Sequence, residues 1–299
     1  MRDCLGFMYF YPFRGLAAIL PSWMTSLISM PLVYIYSLLP VNQKGRKCLR
    51  EMIGLIFSNQ RTKGEVRKLS QQYLRNSIRS IMDDIILAKF SRKDLLKRGA
   101  IHGLENLENA LLDNKGVILV GGHFSGDRVS KLFLRELGFP ILSVRAKSPA
   151  NVNPSMSIVE EQYFMPIKIN ILNRVLTDHV FIEDKGFGIE ILKRLRSNGL
   201  VSVLIDGKAR AKMQGIHCPF FGRERFFATN FLQIAHLTGA AIVPMVCIGN
   251  SSSFTVTFQK RIDLQYFPEK KDFIAANINK FSRMLESQIR QYPTHWLMM

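Results

Sequence analysis

The chain has 299 residues, 41 Lys and Arg against 23 Asp and Glu, and a formal charge of +18. At 47% hydrophobic residues it holds enough apolar side chain to pack one large domain or two small ones, which excludes a disordered tail. Its four cysteines are scattered and form no Cys-x-x-Cys pair, which argues against a disulfide framework or a zinc site and fits a reducing compartment.

The first element in chain order is a run of 29 residues, Gly15 to Gln43, with no charged side chain. As one helix it would extend roughly 40 Å, more than the ~30 Å hydrocarbon core of a bilayer. Pro21, Pro31 and Pro40 interrupt it, Trp23, Tyr34 and Tyr36 are residue types of the lipid interface, and Lys44, Arg46, Lys47 and Arg50 follow directly. The run is too long for a signal peptide and lacks a small-residue cleavage site. It reads as a membrane-associating helical segment, spanning or interfacial, in preference to a buried hairpin. Residues 41–100 carry 15 Lys and Arg against 5 Asp and Glu, and a basic stretch beside an apolar one favours a membrane surface over DNA.

An amphipathic helix is expected over 64–90, where Leu74, Ile78, Ile81 and Ile85 recur at helical spacing. A second helix is expected over 104–113. Val117 to Val120 is short, apolar and β-branched, as a strand buried on both faces requires. A helix from Asp127 to Leu137 follows, then a strand at 141–144, a helix at 186–198 and a strand at 201–205 ending on Asp206-Gly207. Residues 228–238 read as a helix, Ala240–Cys247 and Phe254–Phe258 as strands, and 271–290 as a helix. This alternation makes the class α/β, with a mostly parallel central sheet flanked by helices. The division is an anchoring segment with its basic flank over 1–60 and an α/β domain over 61–299.

Chemistry concentrates where strands end. Gly121-Gly122-His123-Phe124-Ser125-Gly126-Asp127-Arg128 lies between a buried strand and a helix, the usual place for a ligand site in an open α/β sheet. His123 and Asp127 are four apart and share a face if the helix starts early, and a carboxylate beside a histidine makes a better general base. The plainer alternative is a histidine capping a helix. Asp206, at another strand end, is a second carboxylate able to support His123. Backbone N–H groups at the start of the helix after His123 are candidates for holding an oxyanion. Ser125 has His123 two residues before it, so the G-x-S-x-G elbow of serine hydrolases is absent, and no nucleophilic Ser or Cys is expected beside His123. Phe220, Phe221, Phe226 and Phe227 either line an acyl channel or fill the core.

Several ordered pieces carry a resemblance: Asp206-Gly207-Lys208, Pro219-Phe220-Phe221-Gly222, Ala228-Thr229, and Thr238-Gly239-Ala240-Ala241-Ile242-Val243-Pro244. Gly103-Leu104-Glu105-Asn106-Leu107 and His123 precede them, and Glu286, Ile289, Pro293 and Trp296-Leu297 follow. In this order they resemble the bacterial lipid A biosynthesis (lauroyl/myristoyl) acyltransferase family, within the glycerolipid/lysophospholipid acyltransferase superfamily. The family usually places Asp or Glu after His and four intervening residues. Here that position is Arg128, and the carboxylate, Asp127, stands one residue earlier.

The resemblance implies an acyltransferase of the cytoplasmic face of a bacterial inner membrane. Its donor would be a fatty acyl thioester on acyl carrier protein or coenzyme A, and its acceptor a hydroxyl of a membrane lipid such as a lipid A precursor. His123 and Asp127 would be catalytic. Arg145, Asp206, Lys208, Arg210, Phe221, Gly222 and Thr229 would bind substrate, and Arg145 would contact a phosphate or carbonyl, with Asn153-Pro154 matching a family element. No metal or cofactor is implied beyond the thioester co-substrate, and the partners would be the acyl carrier and anionic lipids, without nucleic acid. A membrane-bound thioesterase or lipid hydrolase, and a non-catalytic lipid-binding relative, are the rival readings.

Overall fold

Along Val117–Gly121 (β2) the residues are all buried, and their side chains divide by alternation. Val117 and Leu119 enter one apolar cluster, and Ile118 and Val120 enter another on the opposite face. A strand covered on both sides needs helices above and below it. The computed structural model supplies them; it describes residues 43–146, 178–207 and 214–298, and scattered positions within 11–34 and 158–173.

The helices are α1 (Arg14–Ile19), α2 (Gln43–Ile56), α3 (Lys63–Leu87), α4 (Arg92–Arg98), α5 (Leu104–Leu111), α6 (Asp127–Glu136), α7 (Phe187–Arg196), α8 (Asn230–Thr238) and α9 (Lys270–Gln291). Besides β2, the strands are β1 (Gly99–His102), β3 (Ile141–Arg145), β4 (His179–Phe181), β5 (Leu200–Leu204), β6 (Gly215–Phe220), β7 (Arg223–Ala228), β8 (Ala241–Gly249) and β9 (Phe254–Phe258). Seven strands form one sheet in the order β1-β9-β8-β2-β5-β3-β4. Every neighbouring pair is parallel except β8 with β9. Helices α3 to α6 cover one face through Met82, Leu95, Leu107 and Phe133. Helices α7 to α9 cover the other through Leu195, Phe231, Phe281 and Leu285.

The expected elements over 64–145 and 186–290 are present, with ends shifted by a few residues. Helix α3 starts on a capping box, in which Glu65 N–H donates to Thr62 Oγ1 and Thr62 N–H donates to Glu65 Oε2. Of its expected apolar stripe, Ile85 is buried and Ile78 partly so, while the Ile81 side chain lies outside the described residues. Strands β1 and β4, helix α2 and the two-stranded β6–β7 hairpin were not expected from periodicity. Helix α2 packs through Leu49 and Ile53 on Tyr73 of α3, and its Ile56 joins the same cluster as Trp296. Of the 15–43 run only scattered positions are described, and no helix among the described residues is long and apolar enough to cross a membrane.

Two buried carboxylates, Asp83 and Asp84, tie α3 to the body, Asp83 through Ser251 and Asp84 through Arg128. Asp83 meets Arg79 at 3.2 Å and accepts from Ser251 N–H at 3.1 Å. Asp84 receives Arg128 Nη1 at 2.6 and 2.7 Å from its two carboxylate oxygens. Arg128, standing where the resemblance would place Asp or Glu, is therefore an anchor between α6 and α3.

Candidate functional site

Strands β2 and β5 run in parallel with Gly121 opposite Leu204, and Ile205 N–H donates to Gly121 O at 3.0 Å. Two residues beyond that register stand His123 and Asp206, so the sheet itself brings them together. His123 Nδ1 lies 2.6 Å from Asp206 Oδ1, and His123 N–H donates to Asp206 Oδ2 at 2.8 Å. Gly122 allows the approach, since a Cβ there would sit 3.0 Å from Asp206 Oδ2 and 2.8 Å from Leu285 Cδ1. The Asp206 side chain is fully buried, whereas that of His123 is 39% exposed. Hydrogen bonding at Nδ1 makes this nitrogen the N–H of the neutral ring and leaves Nε2 as the acceptor.

The electrostatics suit a base. Burial alone would depress the His123 pKa, but the charge and hydrogen bond of Asp206, with the charge of Asp127, hold it above imidazole's ordinary 6.5. Burial alone would raise Asp206, yet its contacts with His123 and Trp296 keep it below the usual aspartate value. Asp206 is thus an ionised carboxylate with three N–H groups pointing at it.

The expected His123–Asp127 contact is replaced by His123–Asp206. Helix α6 begins at Asp127, so His123 lies outside it and the four-residue spacing does not stack the two. Asp127 instead takes Lys131 Nζ at 2.8 Å, one turn along its own helix, and acts on His123 through its field. The expected oxyanion donors also change. Residues 123 to 127 all spend their N–H groups internally, on Asp206 Oδ2 and on the carbonyls of Gly122, His295, Cys247 and Phe124 in turn.

The third group at this end of the sheet is Arg145, on β3, the strand beyond β5. Its guanidinium donates to Asn173 Oδ1 at 3.3 Å and stacks on Phe181. Burial and then the charge of Arg128 lower its pKa, against the opposing charges of Asp84 and Asp127. Lys208, Arg210 and Asn153-Pro154 lie outside the described residues. Phe221 and Gly222 form the two-residue turn of the β6–β7 hairpin, with φ of 50° and 73°, the positive values that the primed hairpin turns demand. Phe221 is buried, with Phe220 at its edge and Arg290 over its ring. Phe220 and Phe227 are buried in the same cluster, which is the core alternative for these aromatics. Thr229 is buried at the start of α8 and its N–H donates to Gln214 O.

Residues with no expected site role close the arrangement. After α9, residues 294–297 lie along the His123 loop. Ser125 N–H donates to His295 O at 2.9 Å, Leu297 N–H donates to His123 O at 2.8 Å, and Phe124 bridges Trp296. Trp296, wholly buried, donates its indole N–H to Asp206 Oδ2 at 2.6 Å. Arg225 stacks over Trp296 and donates to the Asp206 carbonyl at 2.6 Å. Ser125 Oγ donates to Gly249 O at 2.9 Å and lies 2.8 Å from His295 Nδ1. A lone tryptophan gives no periodic signal; the lead in the sequence was its place in the closing family element.

Trp296→Phe keeps most of the buried ring and deletes one charge-assisted donor. We expect a stability loss of about 1.5–3 kcal/mol in urea denaturation, with a lower kcat and an unchanged KM for the acyl donor. Unchanged stability and kcat would show that the indole N–H does not support the carboxylate.

Among the described residues no group of three or more His, Cys, Asp and Glu is placed to hold a metal ion. Among solved structures the chain is similar to the 1-acyl-sn-glycerophosphate (LPA) acyltransferase PlsC of Thermotoga maritima, 14% identical over 97% of both chains, with a TM-score of 0.36. At that score the two superpose too loosely for residue roles to be carried across. No curated protein matches the sequence. The sequence model described as bacterial lipid A biosynthesis acyltransferase matches residues 8–299, nearly the whole chain. The chain therefore belongs to the bacterial lipid A biosynthesis acyltransferase family and is an acyltransferase that acts on lipids.

Proposed function

We propose that this protein moves a fatty acyl group from an acyl thioester, on acyl carrier protein or coenzyme A, to a hydroxyl of a lipid A precursor at the cytoplasmic face of the bacterial inner membrane. The supporting observation is the part-exposed His123 ring with its Nδ1 on buried Asp206 at 2.6 Å. In this reading His123 Nε2 takes the proton of the acceptor hydroxyl as its oxygen attacks the thioester carbonyl. A C–O bond forms, the C–S bond breaks, and the imidazolium returns its proton to the leaving thiolate. Asp206 holds the tautomer and stabilises the imidazolium. Arg145, at the neighbouring strand end, is the cationic group assigned to the carbonyl oxygen or to a substrate phosphate. No covalent acyl-serine is invoked, because Ser125 is committed to Gly249 and His295.

Membrane attachment is assigned to the uncharged run and the basic stretch after it. The test uses purified protein in mixed micelles with a labelled acyl thioester, with and without a lipid A precursor. Free thiol and acylated lipid should rise together, and only when the acceptor is present. Thiol release at full rate without acceptor would replace this reading with the hydrolase.

A further inference from the structure

Helices α2 and α3 pack on each other through Leu49, Ile53 and Tyr73, and a small open pocket lies in their groove. Arg46 and Arg50, one turn apart on α2, face Arg67, Ser70, Gln71 and Leu74 on α3 around a volume of about 70 Å³. Three arginines, Ser70 (its hydroxyl donating to Val66 O) and Gln71 line it, and no carboxylate does. Among the described residues Arg50 and Arg67 make no ion pair, while Arg79 of α3 does. Arginines lining a pocket of this size match a phosphate group, which offers several acceptor oxygens to planar donors.

A second observation narrows the source of that phosphate. The described part of the apolar run lies along the same helix. Arg75, next after Leu74 of the pocket, stacks on Tyr34 at 5.0 Å, and Lys89 Nζ donates to Leu20 O at 3.0 Å. This segment leaves Leu16, Ile19, Leu27 and Met30 at least half exposed. Exposed apolar side chains along the helix that carries the arginine pocket suit a bilayer, which offers acyl chains and anionic headgroups together.

We propose that Arg46, Arg50 and Arg67 form a binding site for the phosphate of an anionic membrane phospholipid, separate from the His123 site. Bound there, the lipid fixes the α2–α3 hairpin on the bilayer, whatever proton His123 removes.

The full-length protein is titrated with vesicles of phosphatidylcholine alone or mixed with phosphatidylglycerol. One variant carries Arg46→Gln, Arg50→Gln and Arg67→Gln. A control with the same charge removed carries Lys270→Gln, Lys271→Gln and Arg283→Gln, all exposed on α9. From the usual worth of basic groups at an anionic surface, the pocket variant should lose affinity for the mixed vesicles by on the order of 10²-fold. The control should lose less than about twofold. Short-chain phosphatidylglycerol below its micelle concentration should bind the wild type by calorimetry and not the pocket variant. Equal losses in both variants would mean diffuse charge and overturn the site. Inorganic phosphate binding as tightly as the short-chain lipid, with vesicle binding intact in the variant, would assign the pocket to free phosphate and overturn the lipid. Intact vesicle binding with a raised KM for acyl carrier protein would assign it to an acidic protein partner. If the triple variant melts early, Arg67→Gln alone decides, with a loss of several-fold expected and no loss contradicting the site.

Discussion

His123→Ala should lower acyl transfer by ~10²–10⁴-fold while the protein stays folded. The ring is 39% exposed, so its removal opens no sealed cavity. The Asp206 carboxylate keeps two donors, the amide of residue 123 and the indole of Trp296. The larger cost falls on the transition state, where the acceptor hydroxyl loses the group that takes its proton. The measurement is kcat with saturating donor and acceptor, alongside a thermal melt. A folded variant turning over near the wild-type rate would remove His123 from the mechanism.

Asp206→Asn should cost about as much, ~10²–10⁴-fold in kcat, and for a reason visible in the hydrogen bonds. Two N–H groups point at Oδ2 and His123 Nδ1 points at Oδ1. An asparagine can satisfy the first two only by placing its carbonyl oxygen at the Oδ2 position. Its NH2 then faces His123 Nδ1, which must become the acceptor and move the ring proton to Nε2, the nitrogen the reaction needs free. Asp127→Asn leaves that geometry untouched and removes only a more distant charge, along with the pair to Lys131. Its effect on kcat should stay below about tenfold. If Asp127→Asn abolishes turnover and Asp206→Asn does not, the carboxylate has been assigned to the wrong strand.

That assignment marks where sequence reading stops. Val117–Val120 and Val201–Ile205 were legible because strands buried on both faces are short apolar runs bounded by Gly or Asp. Helix α6 was legible as the connection between two strands, closed by Gly138. Spacing along the chain, however, favours contacts within one element, and so pointed to Asp127. The contact that forms joins residues 83 apart and depends on the β2–β5 register. The β6–β7 hairpin was hidden because Pro219 to Gly222 read as a motif, while its Phe221-Gly222 turn is defined by backbone angles. Trp296 reaches Asp206 across 90 residues. Strand β1 is four residues long and abuts a helix, too short for any alternation to stand out.

The most direct test is the pH dependence of kcat/KM for the wild type and Asp206→Asn. The base must be neutral to act, and its pKa lies above imidazole's ordinary 6.5 because Asp206 favours the charged ring. Wild-type activity should therefore be lost as pH falls through an apparent pKa above 6.5. With the carboxylate gone the neutral ring is favoured, and the acid limb of the residual activity should move to lower pH. An acid limb that stays in place in Asp206→Asn and moves instead in Asp127→Asn would contradict the His123–Asp206 pair as the acyl-transfer base.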